Sequence, residues 1–212
     1  MALIHGRPFL EFLVGQLRTN GLDDIVICGG FMADAVREHF GDGERFGVTL
    51  TYSLESSPMG TAGALKLAEP YLVGERWLLM NGDSLFDIPL QELVDDHLRR
   101  PALVTIALAR VADTGRYGRV TLDGDGVIAG FVEKTDIPTP GLINSGIYII
   151  ERPLLGLIPA DRPVSLERDV IPALPAGSLR GVEFDSYFID IGVPADYERA
   201  QTDTAVFEGL LG

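Results

Sequence analysis

The chain has 212 residues, 46% of them hydrophobic and 23% charged, a composition that suits one soluble globular domain with a substantial core. Its formal net charge of −14 argues against non-specific binding to nucleic acid or anionic lipid, both of which require basic surfaces, and no apolar run approaches the roughly 18 residues needed to cross a bilayer. The single cysteine, Cys28, leaves no intramolecular disulfide and no Cys-x-x-Cys metal site, and without a basic-then-apolar leader the expected compartment is the cytoplasm.

Helical and strand patterns alternate from the first residues. Pro8 suits a first helical turn, and Phe9, Phe12, Leu13, Gln16 and Leu17 trace a mostly apolar face that ends near Asn20-Gly21. Ile25 to Cys28 reads as a short buried strand stopped by Gly29-Gly30, followed by a helix over Ala33 to Phe40, a strand over Thr49 to Ser53 and a helix over Thr61 to Ala68. Trp77 to Met80 reads as a fully buried strand, and Leu90, Leu93, Val94 and Leu98 mark an amphipathic helix. This rhythm predicts crossover connections and a largely parallel sheet with helices on both faces. Further on, Val104 to Ala109, Arg119 to Leu122 and Ile128 to Glu133 read as strands, the last two joined by an Asp123-Gly124-Asp125-Gly126 hairpin turn. Ser145 to Ile150 and Phe184 to Ile189 add strands, and a helix starts at Ala195. The expected fold class is α/β: a doubly wound, three-layer unit with a mixed sheet, one domain over 1–212.

Several residues stand where chemistry is done on such sheets. Asp83 follows an apolar strand as Asn81-Gly82-Asp83, at the carboxyl end where open α/β sheets place ligands; a carboxylate there suits Mg²⁺, which takes one or two protein carboxylates and fills its shell with water and phosphate oxygens. It also suits a plain turn. Asp190 lies between Ile189 and Ile191, so its carboxylate must face solvent, a partner or a metal. The small-residue stretch from Glu55 through Gly60, Thr61 and Gly63 leads into a helix whose first-turn amides favour an anion or a base edge. Only two of the 17 basic residues are lysines, Lys66 and Lys134. Lys134 offers a point charge for a phosphate, and Glu133 and Asn144 offer partners for sugar hydroxyls; each is as readily an ordinary surface ion pair or turn residue.

Taken in order, these stretches resemble the sugar-1-phosphate nucleotidyltransferases, and most of all the mannose- and heptose-1-phosphate guanylyltransferase branch. The matching segments are Gly6 to Glu11, Glu55 to Ala64, Asn81 to Asp83, Tyr117 to Val120, Phe131 to Lys134, Ile143 to Tyr148, Ser165 to Asp169 and Asp190 to Tyr197. The resemblance implies the Rossmann-like fold of nucleotide-diphospho-sugar transferases, with residues 1–100 as a nucleotide-binding half and 101–212 as a sugar-phosphate-binding half. It implies attack by the phosphate of a sugar 1-phosphate on the α-phosphorus of a nucleoside triphosphate, with pyrophosphate released. Asp83 and Asp190 would then hold Mg²⁺, and Lys134 would neutralise the sugar phosphate. Glu133, Asn144 and Gly146 would line the sugar site, with Tyr117, Gly118 and Glu167 nearby. Glu55, Gly60 and Thr61 would lie against the nucleotide, where a carboxylate can accept from the N1–H and amino group of guanine; the base expected is therefore GTP's. No nucleic-acid or membrane partner is implied, and a homo-oligomer is compatible with the sequence.

One departure stands out. The family's first strand, its Gly-Gly-x-Gly-Thr-Arg loop and the following Lys-Pro do not occur in the 212 residues, and Val193 stands where the family commonly has threonine. Without the loop the triphosphate loses several charge-assisted contacts and the sheet loses an inner strand, so the expectation is an enzyme of impaired activity, or else a non-catalytic binding homologue. A glycosyltransferase is disfavoured because the only Asp-x-Asp, Asp123-Gly124-Asp125, reads as a turn. No Gly-x-Gly-x-x-Gly or P-loop pattern occurs.

Overall fold

The chain opens with a hairpin. Strands β1 (Leu3–Ile4) and β2 (Arg7–Pro8) pair antiparallel around His5 and Gly6, both at positive φ. Pro8 thus ends a strand and precedes helix α1 (Phe9–Thr19), one residue outside the expected first turn. The buried Glu11 accepts from Arg7 on one oxygen (3.2 Å) and meets His39 Nε2 on the other (2.6 Å), which ties the hairpin and α1 to the next helix. Strand β3 (Asp24–Gly29), helix α2 (Ala33–Phe40), strand β4 (Thr49–Leu54) and helix α3 (Gly60–Ala68) follow within a residue or so of their sequence limits.

The computed structural model describes residues 1–30, 32–115, 117, 119–132 and 139–210, which fall into two units. The first comprises Met1–Glu75, Arg152–Ala173 and Glu198–Gly212. Here β3 and β4 run parallel in register from Asp24 opposite Thr49 to Gly29 opposite Leu54, as a β-helix-β crossover requires. They pair with no other strand among the described residues. Val14, Phe40, Val48 and Leu50 form a core beside them, and Phe12 packs edge-on against Phe207 of the final helix, Thr204–Gly209 (4.8 Å between centroids).

The second unit comprises Arg76–Glu151 and Leu174–Tyr197. It contains β5 (Arg76–Met80), β6 (Ser84–Phe86), α4 (Leu90–Arg99), β7 (Val104–Val111), β8 (Arg119–Leu122), β9 (Ile128–Val132), β10 (Gly141–Glu151), β11 (Leu179–Phe184), β12 (Phe188–Asp190) and α5, which begins at Pro194. Its six-stranded mixed sheet runs β11-β7-β10-β8-β9, with β5 also on β10. β10 is central: it lies antiparallel to β7 on one side, and on the other it meets β8 near Leu142 and β5 from Ile147 to Glu151. Its run from Ser145 to Ile150 is buried, which is why it reads as continuous apolar sequence. The expected Asp123–Gly126 hairpin turn forms, with Asp123 N donating to Val127 O.

Three expectations are corrected. Trp77–Met80, expected as a fully buried strand of a parallel front sheet, is half-buried and antiparallel to β10, because an apolar run specifies neither its partner nor complete burial. Phe184–Ile189 is not one strand. β11 ends at Phe184 and β12 starts at Phe188 on a different partner, β6, with polar Asp185-Ser186 at the break. On α4, Leu98 is 51% exposed while His97 is fully buried, since position i+7 from Leu90 is His97.

That histidine joins three elements. Its Nδ1 lies 2.7 Å from Thr105 Oγ1 of β7, and its Nε2 2.8 Å from Glu151 Oε1 of β10, which also accepts from Arg76 of β5. Burial pushes the Glu151 carboxyl up, but the hydrogen bonds and charges of His97 and Arg76 outweigh it and hold the group below its ordinary range. A depressed carboxyl contributes stability above its unfolded pKa that is lost as pH falls through its folded value. Glu151→Gln should therefore cost about 1–3 kcal/mol at neutral pH, and urea unfolding across an acid series should show that gap closing as the pH drops.

Candidate active site

In the second unit, the register of β12 on β6 places Asp190 opposite Ser84, and the pairing continues as Ile191 N donates to Asp83 O at 2.9 Å. The two expected acids therefore end adjacent chain segments. Asp190 Oδ1 accepts from Gly192 N (2.9 Å), and Asp83 Oδ1 accepts from Ser84 Oγ (3.2 Å). A Cβ added to Gly192 would stand 3.0 Å from Asp190 Oδ1 and 3.8 Å from Asp83 Oδ2, so both carboxylates border the same small volume, left open by a glycine. Asp83 is exposed and Asp190 half-buried. Among the described residues no cluster of three or more His, Cys, Asp and Glu exists. A two-carboxylate, solvent-accessible donor set fits Mg²⁺, which keeps most of its shell for water and phosphate, and does not fit a tetrahedral zinc site.

Beside these acids lies the bulge in β10. The ladder to β7 shifts between Asn144 and Tyr148, and Gly146 adopts φ +82°. A Cβ there would fall 2.7 Å from Asn81 Nδ2, and Asn81 N donates to Gly146 O, so the bulge packs directly on the Asn81-Gly82-Asp83 turn. The Asn144 amide is fixed at both ends: Oδ1 accepts from Gly146 N (3.0 Å) and Nδ2 donates to the buried Tyr148 hydroxyl (2.8 Å). Tyr117 packs edge-on to Phe188 (5.7 Å), two residues before Asp190, and its hydroxyl donates to Asp196 (3.1 Å). Sequence reasoning passed over Asn81, Tyr148 and Asp196; each lies inside a matched segment, and only the fold reveals their contacts. Of the expected residues, Gly118, Glu133 and Lys134 lie outside the described residues.

The first unit holds Glu55, Gly60, Thr61 and Glu167. Glu55 Oε2 accepts from Met59 N (2.9 Å), and its side chain lies against Gly30, where a Cβ would fall 2.7 Å from Glu55 Cγ. The neighbouring Cys28 is open to solvent as a residue yet crowded at the thiol: desolvation, with the Glu55 charge added, pushes it up to about 11. It stays protonated at neutral pH and is no nucleophile. The amides expected to be free at the start of α3 are engaged, since Ala62 N and Gly63 N both donate to Val164 O. Thr61 Oγ1 accepts from Leu166 N (2.7 Å) and donates to Glu167 Oε2 (2.9 Å). Glu167, grouped with the sugar residues by resemblance, thus bonds to a residue of the nucleotide loop. Lys66 is tied to Glu69 and to Leu155 O, the ordinary role of a helix-surface lysine.

Gly60 is required on two counts. Its φ is +71°, and a Cβ would meet Val164 O at 2.6 Å, backbone that cannot move aside without breaking the Ala62 and Gly63 bonds. Gly60→Ala should cost about 2 kcal/mol or more, read as a lowered urea midpoint. A variant as stable as the parent would contradict this geometry.

Comparison with known proteins places the chain. The model of the family described as Nucleotidyl transferase matches residues 1–206. Mannose-1-phosphate guanylyltransferase of Mycobacterium tuberculosis is 34% identical over 93% of this chain and 56% of its own length. D-glycero-alpha-D-manno-heptose 1-phosphate guanylyltransferase of Campylobacter jejuni is 34% identical over 93% of this chain and 86% of its own. The chain therefore spans about half the length of the first relative and most of the second. Among solved structures, HddC of Yersinia pseudotuberculosis superimposes with a TM-score of 0.87 at 29% identity, over 96% of this chain and 88% of that one, and it has also been solved in complex with GMP-PN.

Proposed function

The chain belongs to the nucleotidyl transferase family, as a sugar-1-phosphate nucleotidyltransferase with the α/β fold of that family, and from this premise we propose that it joins a nucleoside triphosphate, GTP, to a sugar 1-phosphate. The observation that supports the reading most is the meeting of Asp83 and Asp190 beside Gly192. Relatives named for guanylyl transfer to mannose 1-phosphate and heptose 1-phosphate, and a neighbour solved with GMP-PN, support guanine as the base.

In the reaction, an oxygen of the sugar phosphate attacks the α-phosphorus of the nucleotide. One P–O bond forms as the bond to the β-phosphate breaks, and pyrophosphate leaves with the electron pair. Such a transfer needs alignment and charge neutralisation, not a covalent nucleophile. Asp83 and Asp190 would hold Mg²⁺, which when bound supplies positive charge to phosphate oxygens. Asn144, its amide already oriented by Tyr148 and Gly146, presents its remaining N–H and lone pair to sugar hydroxyls, and Glu133 and Lys134 act at the sugar and its phosphate. In the first unit, Glu55, Gly60 and Thr61 shape the wall for the base, with Glu167 holding Thr61. The 212 residues carry no Gly-Gly-x-Gly-Thr-Arg segment, so turnover by them alone should be slow.

Two measurements test the reading. Incubation with GTP, a hexose or heptose 1-phosphate and Mg²⁺ should release pyrophosphate, faster than with ATP, UTP or dTTP, and faster again when a Gly-Gly-x-Gly-Thr-Arg-containing segment from a relative is fused upstream; sugar-phosphate binding without turnover in both forms would favour a binding homologue. Asp83→Asn should abolish Mg²⁺-dependent turnover with an unchanged circular dichroism spectrum and melting temperature. Full activity in that variant would remove the metal assignment.

A further inference from the structure

Asp196 is a buried acid with no part in the chemistry above. It sits at 7% exposure in the first turn of α5, where the helix N-terminus favours a carboxylate. Its Oδ2 accepts the Tyr117 hydroxyl at 3.1 Å. The Tyr117 ring packs edge-on against Phe188, which packs in turn against Phe86 (5.8 Å). Phe188 and Phe86 are the paired residues at the far end of the β12–β6 ladder whose near end carries Asp190 opposite Ser84. Tyr117 closes a turn, donating its amide to Thr114 O, and Thr114 is anchored through its own amide and hydroxyl to Thr139 O.

We infer that Asp196 is a positioning residue: acting through the Tyr117 hydroxyl, it fixes the turn before β8 against the strand pair that carries the two site aspartates. The tyrosine acts here as a strut, its O–H donated to the Asp196 carboxylate. This rests on the proposed function, with Asp83 and Asp190 holding Mg²⁺ and Tyr117 near the sugar site as the resemblance implies. The geometry itself stands without it.

The inference predicts a split between substrates. In Asp196→Ala the turn loses its tether, and KM for the sugar 1-phosphate should rise roughly ten- to a hundredfold, the scale of a lost hydrogen bond to a charged group, while KM for the nucleotide stays within about threefold. Asp196→Asn keeps an oxygen that accepts from Tyr117 and should recover most of the loss. Tyr117→Phe, which keeps the ring on Phe188, should reproduce the alanine effect, and the double variant Asp196→Ala/Tyr117→Phe should be no worse than either single one. Calorimetric titration of the sugar 1-phosphate gives the same comparison independently of turnover, and thermal melts report folding. An unchanged sugar-phosphate KM and Kd in Asp196→Ala, equal losses for both substrates that follow the melting temperature, or additive effects in the double variant would overturn the inference. A parent protein that binds sugar 1-phosphate without turnover leaves the inference to be judged by Kd alone, and a parent that binds none overturns both it and the proposed function.

Discussion

The short antiparallel ladder between Ser84–Phe86 and Phe188–Asp190 is the constraint on which the candidate site depends. Two acids more than a hundred positions apart can share a metal only if their strands pair in one register. The pair is anchored in the core: Leu85, Phe86 and Ile189 are fully buried, and side chains on both faces of β6 are packed. The ladder is continued beyond the strands by the Ile191 amide on Asp83 O, so the backbone carrying one acid is hydrogen-bonded to the backbone carrying the other. Gly192 completes the arrangement by leaving the space between the carboxylates empty. A three-residue ladder with a buried core thus brings the chain segments carrying the two acids side by side.

The same logic governs the neighbouring bulge. A regular β10 would alternate its side chains through Asn144, and the inserted residue instead lets Gly146 turn at positive φ onto Asn81. Bulges re-aim side chains at sites in this way. What holds the bulge is a polar chain of Gly146 N, the Asn144 amide and the Tyr148 hydroxyl, rooted in a fully buried tyrosine. Asn144 is therefore presented in a fixed amide orientation, the pre-organisation that its proposed contact with sugar hydroxyls would require.

Local signals explain what was legible in the sequence. The helix at Ala33–Phe40, the strand at Arg119–Leu122 and the Asp123–Gly126 turn are set by neighbours within a few residues, and they emerge where expected. The position of Asp190 at the end of β12 was also legible, since an acid after an apolar run has few places to go, whereas Asp83 lies in the turn between β5 and β6, a strand the sequence did not announce. Pairing was not. Nothing in Trp77-Leu78-Leu79-Met80 says whether it lies parallel in one sheet or antiparallel on β10, and nothing in the residues from Phe184 to Ile189 says that their two ends choose different partners. Hydrogen-bond commitments were hidden for the same reason. The first-turn amides of α3 look available until the chain returns at Val164, about a hundred residues later, to accept from them. Thr61 and Glu167 meet through the same return.

Charge is the reason the proposed reaction calls for a divalent ion. In the proposed reaction a chain of net charge −14 would bring two phosphorylated substrates together and would need positive charge beside them, and many of its arginines are committed elsewhere: Arg7 to Glu11, Arg76 to Glu151, Arg100 to Asp96, Arg110 to Glu183 and Arg152 to Glu75. Two carboxylates bordering one small volume would repel a phosphate unless positive charge offset them. A bound Mg²⁺ would reverse the sign of the local field, and in the proposed reaction the acids that would otherwise exclude a phosphate would hold the cation that admits it. On the proposed reading, the pair beside Gly192 serves phosphorylated substrates through the cation it would hold, which is the reason for two acids to share one small volume.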